Sequence, residues 1–179
     1  MWLVLIKQYW NVSILKEKPE NTPYSPILFC IASLLFLLLI VVQWMMTDIS
    51  QKLTIGVACL IGVSLILSYV AYTWVLLKLN RLPSRFLQTC TCLLFVHTIV
   101  HLAAFPLLLI MPFILHGNAS STMSPVFGIF YLALTLLLAV WQFVLSAYIY
   151  KHALTVSWLA AILAGLGLLA CNILTISFW

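Results

Sequence analysis

Two histidines, His97 and His101, are the residues of this chain whose type and spacing could do chemistry. They are four residues apart, so on a helix both side chains lie on one face, about one turn from each other. Both fall within the stretch 86–111, which contains no Asp, Glu, Lys or Arg. Ionisable side chains in such a stretch usually face the interior of a membrane protein and often take part in its function.

Three chemistries fit this pair. Two neutral imidazoles at this spacing could bind one transition-metal ion, or they could serve as axial ligands of haem. A third possibility is a proton relay from the histidines through Gln142, Asn172 or tyrosine side chains. No other apolar stretch carries a histidine or a carboxylate to complete such a site. We therefore expect hydrogen bonds to neighbouring helices and no cofactor, with a metal ion or haem as the alternative.

The composition predicts the class of protein. Hydrophobic residues make up 65% of the chain and charged residues 6%, and the mean hydropathy is +1.21. A soluble domain carries about 25% charged residues, which cover its surface. This chain is therefore a polytopic membrane protein whose main partner is the lipid bilayer. Its net charge of +5 is spread between apolar stretches, so nucleic acid is not an expected partner.

We predict an all-α fold, with five transmembrane helices in a compact bundle and a short N-terminal interfacial amphipathic helix. Each of the five apolar stretches exceeds the roughly 20 residues that cross the hydrocarbon core. Residues 1–179 then form a single membrane domain, because the connections are short. Its segments are the interfacial helix 1–15, the linker 16–25, and the spans 26–46, 53–77, 86–111, 126–150 and 158–179.

The distribution of basic residues predicts the orientation. Seven of the eight Lys and Arg residues fall on one side of the predicted spans, and Lys52 falls on the other. The seven are Lys7, Lys16, Lys18, Lys78, Arg81, Arg85 and Lys151. Since cytoplasmic loops carry the excess of positive charge, the N-terminus is expected in the cytoplasm and the C-terminus outside.

Small and polar residues within the spans indicate how the helices pack. Small residues four apart let two backbones approach closely in a membrane, and amides bond across helices. The candidate packing residues are Ala58, Gly62, Ala160, Ala161, Ala164 and Gly165. The intramembrane polar candidates are His97, His101, Gln142 and Asn172. We expect both histidines to turn inward, toward amide or hydroxyl partners.

Two features carry a resemblance to known proteins. The stretch PENTPYSPILF, which leads into the first span, resembles that of small uncharacterised proteobacterial inner-membrane proteins. Five spans with a cytoplasmic N-terminus resemble the layout of the Yip1-like family. The resemblance implies a membrane-shaping or adapter role without known catalytic residues, and a location in the bacterial inner membrane.

The sequence contains no nucleotide-binding or hydrolase motif, so an enzyme is not expected. The leading hypothesis is a non-enzymatic accessory or scaffold protein that packs against other membrane subunits or a second copy of itself. One alternative is a small transporter or channel subunit with a polar path at His97 and His101. Another is a metal- or haem-binding redox subunit.

Overall fold

The computed structural model describes residues 2–47, 54–116 and 124–179, and over this part it contains six α-helices and no strand. The helices are α1 (Trp2–Ser13), α2 (Pro26–Thr47), α3 (Ile55–Leu79), α4 (Phe86–His116), α5 (Ser124–Leu154) and α6 (Trp158–Ser177). The last five are long and apolar enough to cross a membrane, which confirms the predicted fold class. Residue 53, the predicted start of the second span, and Lys52 lie outside the described residues.

Local sequence explains where the helices begin. The hydroxyl of Thr54 accepts a hydrogen bond from the backbone N–H of Val57, and Ser157 does the same for Ala160, each at 3.4 Å. Such caps satisfy donors that the first turn of a helix leaves without a partner. Pro26 opens α2, where its missing N–H costs nothing. The spans are therefore bounded by short, well-defined connections.

Helices α2 to α6 form a closed ring. Around the ring α2 contacts α4, α4 contacts α5, α5 contacts α6, α6 contacts α3, and α3 contacts α2. Consecutive helices are thus neighbours, except that α3 and α4 meet less extensively, across the ring. Instead α4 packs most extensively on α2. A reciprocal pair of hydrogen bonds between Gln43 and His101 joins these two helices.

The N-terminal helix α1 lies along the flank of α4 and α5. The ring of Tyr9 stacks on that of Phe95 with their centroids 4.3 Å apart, and the indole N–H of Trp141 donates to the carbonyl of Ser13 at 2.9 Å. Trp141 is about 20 Å along α5 from Leu154, at 1.5 Å per residue. The end of α1 is therefore anchored well within the length of the bundle.

The amphipathic pattern of α1 is divided between two surfaces. Tyr9 and Val12 are buried against the bundle, whereas Ile6 and Trp10 are exposed. On a helical wheel of 100° per residue, all four residues gather on one side of the helix. The difference arises because only a narrow stripe of α1, one residue every three or four, packs on α4. The other apolar residues of α1 face outward.

Basic residues cluster at one end of the bundle, which we call the basic end and define by Lys78, Arg81, Arg85 and Lys151. The guanidinium of Arg85 donates to the carbonyls of His152 at 3.0 Å and Ala153 at 3.3 Å. These carbonyls lie in the last turn of α5, where they lack partners within the helix. Arg85 therefore ties the start of α4 to the end of α5.

Helices α4 and α5 are longer than the others. Each has 31 residues, whereas α6 has 20. At 1.5 Å per residue, α4 and α5 are each about 46 Å long and α6 about 30 Å. Because all three meet near the basic end, α4 and α5 extend beyond α6 at the opposite end.

A close approach of α5 and α6 depends on small residues. Ala161, Ala164 and Gly165 are buried residues of α6. A Cβ atom added to Gly165 would lie 3.3 Å from the ring of Phe143 and 3.4 Å from the backbone nitrogen of Ala147. The two backbones therefore come close enough that a larger side chain at residue 165 would push them apart.

The other candidate packing residues divide into two groups. Ala58 and Gly62 are buried in α3, and a Cβ atom on Gly62 would meet the side chain of Leu37 in α2. Ala160, in contrast, is exposed. Its expected role in packing within the chain is wrong, because the buried face of α6 runs through the next residue along the chain, Ala161.

The α5–α6 contact predicts the effect of enlarging its glycine. Gly165→Leu should lower the free energy of unfolding by about 1–3 kcal/mol, because overpacking forces the two backbones apart. Gly128→Leu is the matched control, since a Cβ atom there meets nothing within 4 Å. Chemical unfolding in detergent micelles measures both. Equal stability of the two variants would contradict the close contact.

Candidate functional site

The imidazole of His97 lies at the centre of the ring and is 1% exposed. Its Nδ1 is 2.5 Å from the hydroxyl of Tyr69 in α3. Its Nε2 is 2.9 Å from the hydroxyl of Ser146 in α5. The side-chain nitrogen of Gln142, also in α5, is 3.3 Å from Nδ1. Both ring nitrogens therefore have polar partners, and these join three helices.

These bonds determine which nitrogen of His97 carries the proton. Ser146 donates its hydroxyl hydrogen to the carbonyl of Gln142 at 3.0 Å. The Ser146 oxygen must therefore accept from His97, so Nε2 carries the hydrogen. Nδ1 then accepts from the hydroxyl of Tyr69. The neutral ring is fully satisfied in this tautomer, as a buried polar group requires.

His101 has the opposite tautomer. The amide nitrogen of Gln43 donates to the backbone carbonyl of His101 at 2.9 Å. The amide oxygen of Gln43 is therefore the atom that faces Nδ1 of His101, also at 2.9 Å. An amide oxygen only accepts, so Nδ1 carries the hydrogen and Nε2 has the free lone pair. The ring of Phe36 holds the imidazole edge-on, with centroids 5.6 Å apart.

A groove between α2 and α4 opens beside His101. It has a volume of about 360 Å³ and is lined by Gln43, Trp44, Thr47, His101, Ala104 and Leu108. No hydrogen-bond partner of His101 Nε2 lies among the described residues. Because His101 is one of the lining residues, a molecule in the groove can approach the lone pair of Nε2.

A smaller cavity of about 70 Å³ lies on the other side of His97, between α5 and α6. Gln142, Ser146 and Asn172 contribute its polar lining. The Asn172 side-chain oxygen also accepts from the hydroxyl of Ser68 in α3 at 3.1 Å. This space is large enough for water, and it shares no lining residue with the groove at His101.

All four polar candidates from the sequence have polar partners on other helices, and both histidines meet amide or hydroxyl groups of those helices. Sequence reasoning did not identify Tyr69 and Ser146 as partners of His97. Ser146 could have been found from its spacing, because it lies four residues after Gln142 and so shares its helix face. Tyr69 carries no such signal.

The hydrogen bonds bear on the metal and haem hypotheses. In the tautomers described above, the lone pair of His97 is bonded to Tyr69, and His101 alone presents a free one. A metal ion shared by the pair would have to displace the Tyr69 hydroxyl. Within the three described ranges, no three His, Cys, Asp or Glu side chains come together. The geometry therefore fits a single hydrogen-bond acceptor better than a metal site.

Comparison with known proteins finds no relative of this chain. No family model matches it, and neither does any curated protein or solved structure. The role of the site therefore rests on its own geometry.

The network around His97 predicts coupled effects of two conservative changes. Tyr69→Phe and Ser146→Ala should each lower the free energy of unfolding by about 0.5–1.5 kcal/mol, because each leaves a ring nitrogen without its hydroxyl partner. Both act through one imidazole, so the double variant should differ from the sum of the two. Chemical unfolding of the four proteins measures this coupling.

Tyr131→Phe is the control, because no described residue bonds to its hydroxyl and the substitution should leave stability unchanged. Strictly additive losses for Tyr69→Phe and Ser146→Ala would contradict the shared network.

Proposed function

We propose that this protein is a non-enzymatic accessory or scaffold protein that packs against other membrane proteins through the half of α5 distant from the basic end. The observation that carries the proposal is the exposure of this helix. Across the most apolar 18 residues of α5 only 6% of the residues are buried, compared with 22–33% across the equivalent stretches of the other four spans.

In this half of α5, most of the described residues are exposed. Between residues 126 and 140 the half-buried positions among the described residues are 128, 131, 134 and 138, at intervals of three or four residues. The exposed large side chains are Val126, Ile129, Phe130, Leu132, Leu136, Leu137 and Val140. A helix that is packed along only a narrow stripe offers an apolar surface to lipid and to a further protein helix.

The closed network around His97 supports a structural role for the bundle. A catalytic or transport site needs a polar group that can reach substrate, and both nitrogens of His97 are bonded within the protein. Interhelical hydrogen bonds of this kind are each worth about 1 kcal/mol in membranes. The bundle would then be a rigid platform from which α4 and α5 extend.

A photocrosslinking experiment tests the proposal. Benzoylphenylalanine at Leu136 in α5 should form an adduct with another membrane protein or with a second copy of this chain. Leu163 in α6 is the matched control, since the two residues are 66% and 61% exposed. The same reagent at Leu163 should react with lipid. Adducts with lipid alone at Leu136, or equal protein adducts at both positions, would overturn the proposal.

The proposed location is the inner membrane of a bacterium, with the basic end in the cytoplasm. The charge asymmetry supports this orientation, because Lys78, Arg81, Arg85 and Lys151 all lie at one end of the bundle. The resemblance of residues 19–29 to small proteobacterial proteins, and of the five-span layout to the Yip1-like family, agrees with this location and with an adapter role.

A reporter fused after Trp179 checks the orientation. Because α6 is expected to end outside, alkaline phosphatase at this position should be active. A fusion after Lys151, which truncates the chain at the basic end, should be inactive. Activity only in the second fusion would show the reverse topology.

A second candidate is a small transporter or channel subunit with its path at His97 and His101. The observation that favours it is the pair of spaces, of about 360 Å³ and 70 Å³, that adjoin these two histidines. They have no lining residue in common, so a continuous path would require the imidazole of His97 to leave Ser146. The scaffold therefore remains the first proposal.

A further inference from the structure

We propose that the groove between α2 and α4 is a binding site for a neutral amphiphile, whose hydroxyl group donates a hydrogen bond to Nε2 of His101. This inference goes beyond the scaffold role, because it concerns a different face of α4 and a small molecule. It rests on the fixed tautomer of one imidazole and on the lining of one groove.

The first step concerns the polarity of the recognition atom. Gln43 bonds to both the backbone carbonyl and Nδ1 of His101, and the ring of Phe36 meets the imidazole edge-on. These contacts hold the ring in one orientation and one tautomer. Nε2 therefore presents a lone pair to the groove, and its complement in a ligand is an O–H or N–H donor.

The second step concerns charge. Among the described residues, the lining of the groove contains no Lys, Arg, Asp or Glu. The hydroxyl of Thr47 donates to backbone carbonyls of its own helix, at 3.0 Å to Gln43 and 3.1 Å to Trp44, so toward the groove it can only accept. A carboxylate or phosphate would find no cation among these lining residues. A neutral hydroxyl would satisfy Nε2, an acceptor for which the described part of the chain supplies no donor.

The third step concerns the body of the ligand. Trp44, Ala104 and Leu108 supply apolar walls, and the groove lies at the end of α2 distant from the basic end. Its volume of about 360 Å³ falls in the range of small-molecule sites, which combine apolar walls with a few placed polar groups. An alkyl chain or a phenol ring carrying one hydroxyl group has this chemistry.

The test uses the full-length protein in phospholipid nanodiscs and a photoreactive decanol with a diazirine in its chain. Its methyl ether is the control probe, since it has the same shape but no donor. We expect the alcohol to label peptides containing Trp44 or Leu108 with a half-saturating concentration about three- to tenfold lower than that of the ether, the value of one hydrogen bond.

His101→Asn is the decisive variant. Asparagine keeps an N–H near the position of Nδ1 to bond Gln43. Its own acceptor, Oδ1, takes the position of Cδ2, so the shorter side chain places no acceptor at the position of Nε2. The preference for the alcohol should therefore disappear, while labelling by the ether stays the same. Ala104→Leu leaves the polar pair intact and fills the groove, so it should weaken both probes and provides an independent check if His101→Asn is unstable.

Competition distinguishes the two classes of ligand that could supply the hydroxyl group. Unlabelled decanol represents chain alcohols, and 4-octylphenol represents ring phenols. The stronger competitor identifies the ligand class, and either result supports the proposal provided that its methyl ether competes less well. Equal labelling by alcohol and ether in the natural protein, or an alcohol preference that survives in His101→Asn, would overturn it.

Discussion

The imidazole of His97 must have a partner at each nitrogen, and the arrangement of the helices depends on that requirement. Within a membrane, water is not available to satisfy a buried polar group, so its partners must come from neighbouring helices. Tyr69 and Ser146 supply them from α3 and α5. A rotation of any of the three helices would break a bond at the centre of the ring. The small residues of the α5–α6 contact then allow the ring to close.

His97 and His101 lie four residues apart on one helix, but their surroundings fix opposite tautomers. The two rings therefore have different roles. In His97 the Nε2–H bonds to a serine, and Nδ1 accepts from a tyrosine. In His101 the Nδ1–H bonds to Gln43, and Nε2 remains free beside a groove. A pair of histidines four residues apart therefore does not by itself predict a shared metal ion. The donors and acceptors on the neighbouring helices determine which nitrogen of each ring carries the hydrogen.

Much of the fold could be predicted from the sequence, because each transmembrane helix needs its own apolar stretch of about 20 residues and can be recognised without reference to the others. The described spans begin or end within a few residues of the predicted bounds, and both histidines meet amide or hydroxyl groups of neighbouring helices. Prediction was weaker where the outcome depends on which helix meets which. The preference of α4 for α2, the exposure of Ala160 and the partnership of Tyr69 with His97 all arise from long-range contacts. Tyrosine is common in membrane helices, so Tyr69 does not stand out without the fold.

The distribution of packing along the bundle separates a structural half from a half that is available to other molecules. Near the basic end, Arg85 and the buried residues of α4 and α5 join helices tightly. Toward the other end most of the described residues of α5 are exposed. The groove at His101 opens on the side of α4 that faces α2, so α4 lies between the bare surface of α5 and the groove. Because a packed helix transmits displacement along and across its axis, a molecule in the groove would contact the same helix that supports the exposed half of α5. The proposed scaffold surface and the proposed amphiphile site are thus physically joined through α4.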